Sequence, residues 1–149
     1  MRAENSCIFC QIVAGRKEAE IVFEDEMTLA FLDHRPLFPG HCLLIPREHY
    51  RTLLDLPPGL LGPLFERAQL LARAIEEALA AEGLFLAINN RVSQSVPHLH
   101  VHLVPRRRGD GLRGFFWPRR RYKDREEAQR TQQAIKTRIE GLQKARPRW

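Results

Sequence analysis

The sequence has few cysteines and no long apolar run, and these absences exclude several classes of protein. Its 149 residues include three cysteines, an odd number that does not build a full disulfide framework. No apolar stretch approaches the roughly 20 residues needed to cross a bilayer, so we expect no membrane partner. The first six residues lack the basic and then apolar layout of a secretory signal. We therefore expect a cytoplasmic location.

Internal repeats, low-complexity tracts and changes of composition that would mark a second domain are also missing. A length of 149 residues with a hydrophobic fraction of 44% is typical of one globular domain with its own core. We therefore predict a single domain over residues 1–149.

Positive charge is in excess, and one segment accounts for it. Lys and Arg number 24 against 18 Asp and Glu, which gives a net charge of +6. Residues 106–125 contain nine Lys or Arg and two Asp, so the rest of the chain is nearly neutral. Such a local excess indicates that an anionic ligand or partner meets one region of the chain.

The apolar spacing predicts an α+β domain with an antiparallel sheet. Leu64, Ala68, Leu71, Ile75 and Leu79 follow the spacing of a buried helical stripe, and Gly83 is a candidate C-cap for that helix. Alternating apolar residues predict strands, and the order of strands, helix, strands and helix favours the α+β class. The predicted elements are a hairpin over 19–33 with its turn at 24–26, a strand over 41–46, a helix over 60–81, strands over 84–88 and 98–105, and a helix over 124–144.

Three histidines alternate with apolar residues in the segment 97–104. Side chains two residues apart on a strand project from one face, about 6.6–6.8 Å from each other. We therefore expect His98, His100 and His102 to form a row of imidazoles, with the apolar residues between them in the core. The alternative, scattered polar residues on a solvated face, does not account for the unbroken apolar face.

Residues 98–104 resemble the His-φ-His-φ-His-φ-φ signature of the histidine triad superfamily. Further blocks that resemble the family follow in order at 7–15, 30–36, 39–41, 44–49 and 94–96, so the resemblance covers about residues 7–106. It implies a five-stranded antiparallel sheet with two helices, commonly paired as a homodimer with a ten-stranded sheet. Residues 107–149 form a basic, aromatic extension about which the resemblance says little.

The resemblance implies nucleophilic catalysis on a purine nucleotide. The middle histidine, His100, would attack an α-phosphorus and form a nucleotidyl-histidine intermediate, while the carbonyl of His98 holds the proton on its other ring nitrogen. His102 would contact the phosphate or assist the leaving group. A neutral imidazole suits this role because its nitrogen is available at pH 7.

The resemblance also implies the residues that bind the nucleotide. Asp33 would accept the ribose hydroxyls, and Ser95 would donate to phosphate oxygens. Val92 and Ser93 stand where the family often has Gly-Gly or Ala-Gly, which leaves the roles of the two asparagines and the leaving-group site open. The remaining expected residues are Phe9, Ile12 and Phe31 as walls of the base pocket, with Asn89, Asn90, Gln94 and the supporting His41.

A zinc site is the second expectation. Cys7 and Cys10 form a C-x-x-C pair, and two thiolates at that spacing chelate one ion that needs two more ligands. In the zinc-bearing relatives that the chain resembles, the other ligands match His49 and His98, which makes the ion structural. The alternative is that both cysteines are buried thiols and His49 is a surface residue.

These observations favour an enzyme that acts on purine nucleoside phosphoramidates or diadenosine polyphosphates. A deadenylase acting on adenylylated nucleic acid ends and a non-catalytic purine-nucleotide-binding module are the alternatives. The basic segment has three interpretations: a lid over a polyphosphate, a nucleic acid binding surface, or a dimer interface whose arginines are solvated.

Overall fold

The computed structural model describes residues 6–112 and 120–145, and the fold rests on an antiparallel sheet. Within the described part of the first compact unit, Met1–Asp110, five strands form one sheet in the order β1-β2-β3-β5-β4. This confirms the predicted α+β class and the five-stranded sheet. The strands are β1 Ile21–Glu24, β2 Thr28–Leu32, β3 Cys42–Pro46, β4 Gly83–Ala87 and β5 Val101–Arg106.

The helices of the described residues are α1, α2 and α3, besides a short 3-10 turn at Leu53–Asp55. The short α1 is additional to the two helices that the resemblance implies. None of the described helices has the length and apolar character of a membrane span. The bounds are α1 Ile8–Val13, α2 Pro58–Leu79 and α3 Arg125–Ala145.

The predicted C-cap of α2 is wrong. The helix ends at Leu79, and Ala80 takes the left-handed conformation with φ of 48°, so the chain turns there. The backbone N–H of Ala80 donates to the carbonyl of Glu76, which satisfies one of the terminal carbonyls. Gly83 instead begins β4.

The predicted hairpin of β1 and β2 is confirmed, with Asp25 at its turn. The Asp25 Oδ1 accepts hydrogen bonds from the backbone N–H groups of Met27 at 2.9 Å and Thr28 at 2.7 Å. It also accepts from the Thr28 hydroxyl at 2.9 Å. A short polar side chain that binds the following N–H groups is the usual device of such a turn.

The two faces of the sheet pack against different helices. The stripe of α2 packs on one face against Leu44, Val101 and Leu103, and these residues are buried. The prediction is wrong for Leu79, the last member of the stripe, which is 41% exposed at the end of the helix. Phe9 and Ile12 of α1 belong to a separate core on the other face. Because side chains alternate along an extended chain, His100, His102 and Val104 point to the opposite face, which is the face of α1.

The second compact unit, Gly111–Trp149, contains α3, which confirms the predicted terminal helix. At its start the Asp124 Oδ1 accepts a hydrogen bond of 2.7 Å from the N–H of Glu127. A carboxylate at this position satisfies one of the free N–H groups at the start of a helix. Residues 113–119, which carry the aromatic part of the basic segment, lie outside the described residues.

Candidate active site

The three histidines lie on the α1 face of the sheet, although two of them precede the regular strand. The prediction of a strand from residue 98 is wrong, because β5 begins at Val101. The alternation nevertheless holds, and Leu99, like Val101 and Leu103, is buried on the α2 side. The ring centroids of His100 and His102 are 4.8 Å apart, so the imidazoles form a row.

His98 lies at the cysteine end of this row. Its Nε2 donates a hydrogen bond of 2.9 Å to the carbonyl of Pro46, which leaves Nδ1 as the acceptor. That Nδ1 is 3.5 Å from the Sγ of Cys7 and 3.5 Å from the Sγ of Cys10. The Sγ of Cys10 is also 3.2 Å from the Nδ1 of His49. The four predicted metal ligands are therefore together.

The geometry of these four side chains fits a zinc ion. Their ligand atoms all lie within 4.8 Å of one another. Tetrahedral zinc holds its sulfur ligands at about 2.3 Å and its nitrogen ligands at about 2.0 Å, which places S and N about 3.6 Å apart. Burial lowers the pKa of His98 to about 4, so its imidazole is neutral and able to ligate. Pro46 fixes the tautomer that ligation needs.

His100 has the orientation that a nucleophile requires. Its Nδ1 donates a hydrogen bond of 2.7 Å to the carbonyl of His98, as the resemblance implies. The unprotonated nitrogen is therefore Nε2. Burial lowers the pKa of His100 below its ordinary value, so the ring is neutral near pH 7. The ring of Phe9 contacts it edge-on at a centroid distance of 5.4 Å and restricts its orientation.

His41 and His102 form a chain of hydrogen bonds that begins at a backbone N–H. The N–H of Leu37 donates to the Nδ1 of His41 at 3.2 Å, so the proton of His41 is on Nε2. That Nε2 lies 3.0 Å from the Nδ1 of His102 and donates to it. The proton of His102 is therefore on its own Nε2. Burial lowers the pKa of both rings, that of His102 to about 4, so both are neutral near pH 7.

A cavity of about 750 Å³ lies in front of His100 and His102. Its walls include most of the side chains predicted to bind the nucleotide or to act on it. Further lining residues, such as Leu43 and Val96, are missing from the predicted set; the pairing of β3 with its neighbouring strands brings Leu43 there, and Val96 lies in the loop before β5. The predicted residues that line the cavity are Phe9, Ile12, Phe31, Asp33, Ser95, His100 and His102.

Other predicted residues lie outside the lining of this cavity. The Asn90 side chain accepts a hydrogen bond of 3.0 Å from the N–H of Leu53, which ties its loop to the 3-10 turn. Asn89 is half-buried and is not among the lining residues. The Gln94 amide donates to the carbonyl of Arg51, and its carbonyl accepts from the N–H of Arg91. His41 is also outside the lining, and its ring contacts His102 instead, as a supporting residue would.

The beginning of the basic segment makes contacts within its own unit. Arg106 forms a two-point ion pair with Asp110, at 2.6 Å and 2.8 Å. The guanidinium of Arg107 donates to the carbonyl of Leu79, at the end of α2. Neither arginine is among the lining residues of the 750 Å³ cavity.

The chain matches the HIT domain family over residues 14–109, and it belongs to that family. It is 36% identical to Adenylylsulfatase HINT3 of Arabidopsis thaliana over 111 residues, which are 73% of this chain and 56% of that protein. It is 33% identical to a bis(5'-nucleosyl)-tetraphosphatase (asymmetrical) of Schizosaccharomyces pombe over 94 residues, 62% of this chain and 52% of that protein. The chain thus spans little more than half the length of these two curated relatives.

A zinc-bound histidine triad family protein from Mycobacterium smegmatis has a similar structure. Its TM-score is 0.70 at 40% identity, and the match covers 93% of this chain and 99% of that protein. The likeness confirms the fold of the family.

Proposed function

We propose that this protein is a nucleotide hydrolase or transferase in which His100 attacks the α-phosphorus of a purine nucleoside phosphoramidate or a dinucleoside polyphosphate. The observation that carries the proposal is the hydrogen bond from the His100 Nδ1 to the His98 carbonyl. It holds the proton on one ring nitrogen and leaves the lone pair of Nε2 for attack. Relatives named as an adenylylsulfatase and a tetraphosphatase support chemistry at a nucleotide phosphate.

The cavity supports binding of a nucleoside 5′-phosphate. Phe9, Ile12 and Phe31 supply apolar walls for the base, and Asp33 supplies carboxylate oxygens for the ribose hydroxyls. Ser95 lines the same cavity as the histidines and supplies a hydroxyl donor to a phosphate oxygen. The nucleotide is thereby oriented with its phosphate at His100.

The reaction has two displacements. In the first, the His100 Nε2 forms a bond to phosphorus, and the bond to the leaving group breaks with its electron pair on the leaving group. A polyphosphate departs as the anion, whereas an amine takes a proton from solvent as it departs. The His102 Nε2–H stabilises the charge that develops on oxygen by donating a hydrogen bond. In the second, water or another acceptor forms a bond to phosphorus, the P–N bond breaks, and the acceptor loses its proton to solvent. His100 returns to its neutral form.

We also propose that Cys7, Cys10, His49 and His98 hold a structural zinc ion. The distances and the neutral tautomer of His98 support this assignment. With four protein ligands the ion has no open position for water, so it supplies cross-linking rather than activation of a nucleophile. A zinc-bound relative of similar structure supports the same conclusion. A cytoplasmic location and a homodimer stay predictions.

The proposed activity is tested with the wild type and His100→Ala on three substrates: adenosine 5′-phosphoramidate, diadenosine tetraphosphate and a 5′-adenylylated oligonucleotide. Products are separated by chromatography. We expect wild-type turnover of at least one of the first two and loss of turnover in the variant by at least about a thousandfold. In the wild type, denaturation at alkaline pH should preserve an adenylyl adduct on His100 for mass spectrometry, because a P–N bond to histidine is labile in acid.

The alternatives give different results. Turnover of the oligonucleotide alone assigns the protein as a deadenylase. Binding of purine nucleotides without turnover of any substrate assigns a binding module. Equal turnover by the variant would exclude His100 as the nucleophile, provided that circular dichroism and metal content match the wild type.

A further inference from the structure

Two further cavities adjoin the nucleotide cavity in sequence, since each shares lining residues with the one before it. The first has a volume of about 400 Å³ and shares Ile8, Ser95 and Val96 with the nucleotide cavity. The second has a volume of about 310 Å³ and shares Arg51 and Pro97 with the first. These two neighbouring cavities are called here the arginine groove, and Ser95, beside the proposed phosphate position, lines the first of them.

Two exposed arginines, Arg51 and Arg91, line the arginine groove. Within residues 6–112 and 120–145 neither guanidinium has a hydrogen bond or an ion pair. Arg106 and Arg107, by contrast, bind protein oxygens. The arginine groove therefore offers two guanidinium groups to a ligand.

One carboxylate of the groove belongs to Asp55, and it is already bound to protein. Its Oδ2 accepts from the N–H of Thr52 at 2.9 Å and from the Thr52 hydroxyl at 2.8 Å. These hydrogen bonds, with the nearby charges of Arg91 and Arg51, hold the pKa of Asp55 below its usual value. Two cations against one anion leave an excess of positive charge at this end of the groove.

Gln94 fixes the backbone of both arginines. Its amide donates to the carbonyl of Arg51 at 2.6 Å, and its side-chain carbonyl accepts from the N–H of Arg91 at 2.8 Å. The loop between Arg91 and Gln94 is strained, because Arg91 has φ of 69° and Ser93 has φ of 60°. Left-handed conformations of non-glycine residues persist where the surroundings enforce them, often at ligand sites. Gln94 supplies that enforcement.

We propose that the arginine groove binds the phosphates of the leaving group, so that the protein prefers nucleotides that carry at least two phosphates beyond the α-phosphate. This inference rests on the proposed function, since it places the reacting phosphate beside Ser95. Guanidinium groups bind phosphate oxygens through paired hydrogen bonds, and the anionic chain meets the charge that the groove has in excess. An amine leaving group gains nothing from these cations. The substrate class is therefore a dinucleoside polyphosphate rather than a phosphoramidate.

A binding experiment tests the groove without any turnover. Calorimetry compares AMP with the α,β-methylene analogue of ATP, without added divalent cations, in the wild type, Arg51→Ala, Arg91→Ala and the double variant. We expect the analogue to bind the wild type at least tenfold more tightly than AMP, and this ratio to fall below threefold in the double variant. Lysine at both positions should retain part of the ratio. Arg73→Ala, which removes an exposed charge on α2, is the matched control.

Equal affinity of the wild type for both ligands would overturn the proposal. An affinity ratio that stays at tenfold in the double variant would also overturn it. If Arg73→Ala lowers the ratio as much as the double variant does, the protein has only a general attraction for anions, and the proposal is again refuted.

A kinetic experiment separates the groove from the proposed function. The ratio of kcat/KM for diadenosine tetraphosphate to that for adenosine 5′-phosphoramidate should fall at least tenfold in the double variant. Turnover with an unchanged ratio would refute the groove and leave the proposed function intact. Lack of all turnover in the wild type, with the binding ratio lost only in the groove variants, would refute the proposed function and leave the groove as a polyphosphate site.

Discussion

At the scale of single residues, the site depends on which ring nitrogen of each histidine carries the proton. For each histidine of the triad, a backbone carbonyl or N–H group fixes which ring nitrogen carries the proton. The carbonyl of Pro46 acts on His98, and the carbonyl of His98 acts on His100. The N–H of Leu37 acts on His102 through His41. The motif alone predicts the three imidazoles but not these protons, because the partners lie elsewhere in the chain.

Replacing His41 should impair His102, although His41 itself does not line the nucleotide cavity. In His41→Ala the Nδ1 of His102 loses its donor, so the proton is free to move there from the Nε2 that donates to the reacting phosphate. We expect kcat/KM for the preferred substrate to fall about 10- to 100-fold, the usual loss when a partner that fixes the tautomer of a functional histidine is removed. Steady-state kinetics measure this loss, and the ring ¹⁵N shifts of His102 report the tautomer.

A double variant distinguishes positioning from a general structural effect. If His41 acts through His102, His41→Ala/His102→Ala is no slower than His102→Ala, because the two side chains work as one unit. Independent losses that multiply in the double variant, or unchanged ring shifts in His41→Ala, would contradict the hydrogen-bond chain.

The sequence predicts the candidate site residues better than their surroundings. Asp33, Ser95, His100 and His102 do meet in one cavity. Leu43 could not be assigned to that cavity, because it faces His102 only through the pairing of β3 with β5. The two arginines of the groove come from loops 40 residues apart, and the side chain of Gln94 that joins them carries no sequence signal of that contact.

At the scale of secondary-structure elements, one carboxylate joins the β1–β2 hairpin to α2. Asp25 accepts from the N–H groups of its own turn through Oδ1, and its Oδ2 accepts from the Arg67 guanidinium at 2.8 Å. Its backbone carbonyl accepts from Arg47 at 2.6 Å. The turn is evident in the sequence as a polar interruption at 24–26, whereas the ion pair to α2 depends on packing.

Asp25 should make stability depend on pH in the acid range. Burial alone raises the pKa of Asp25, but the hydrogen bonds from Arg67, Met27 and Thr28 outweigh it and lower the pKa from 3.8 to about 2. A lowered pKa stabilises the folded state above pH 3.8, and this stabilisation is lost as the pH falls from 4 towards 2. We expect Asp25→Asn to cost about 2 kcal/mol near pH 7, from the size of the pKa shift.

Urea unfolding at several pH values measures this contribution. The free energies of unfolding of the wild type and Asp25→Asn should converge as the pH approaches 2. Glu26→Gln, one residue further along the same turn, is the matched control and should show a smaller difference from the wild type. A gap between wild type and Asp25→Asn that stays constant from pH 7 to pH 2 would contradict the role of the carboxylate charge.

The boundaries of the elements are predicted less well than the elements themselves. The apolar stripe correctly predicts a helix at α2, and the alternating pattern correctly predicts two strands at the β1–β2 hairpin. The end of α2 is missed because Ala80 takes the left-handed conformation that sequence rules reserve for glycine. The start of β5 is missed because alternation continues through residues that pair with no neighbouring strand.

At the scale of the whole molecule, the proposed zinc site of Cys7, Cys10, His49 and His98 would connect distant parts of the chain. Cys7 and His98 are 91 positions apart, and Cys10 and His49 are 39 apart. A cross-link between distant positions lowers the entropy of the unfolded chain, and it also attaches α1 to the segment that carries His100. The sequence predicts these four ligands through the resemblance, but only the folded chain shows that their ligand atoms are at the separations that one ion requires.

Loss of the metal should therefore lower the stability of the fold. We expect about one zinc per chain in the wild type by elemental analysis, and little in Cys7→Ala or Cys10→Ala. The melting temperature of the metal-free protein should be at least about 10 °C lower, since about 1 kcal/mol corresponds to several degrees in a domain of this size. Cys42→Ala is the matched control: this buried thiol, whose pKa burial raises to about 11, donates to the carbonyl of Gly40 outside the cluster. It should keep the zinc, with a fall of only a few degrees from the lost packing. A wild type that is free of metal and equally stable, or equal loss of zinc in Cys7→Ala and Cys42→Ala, would rule out a structural ion at these four residues.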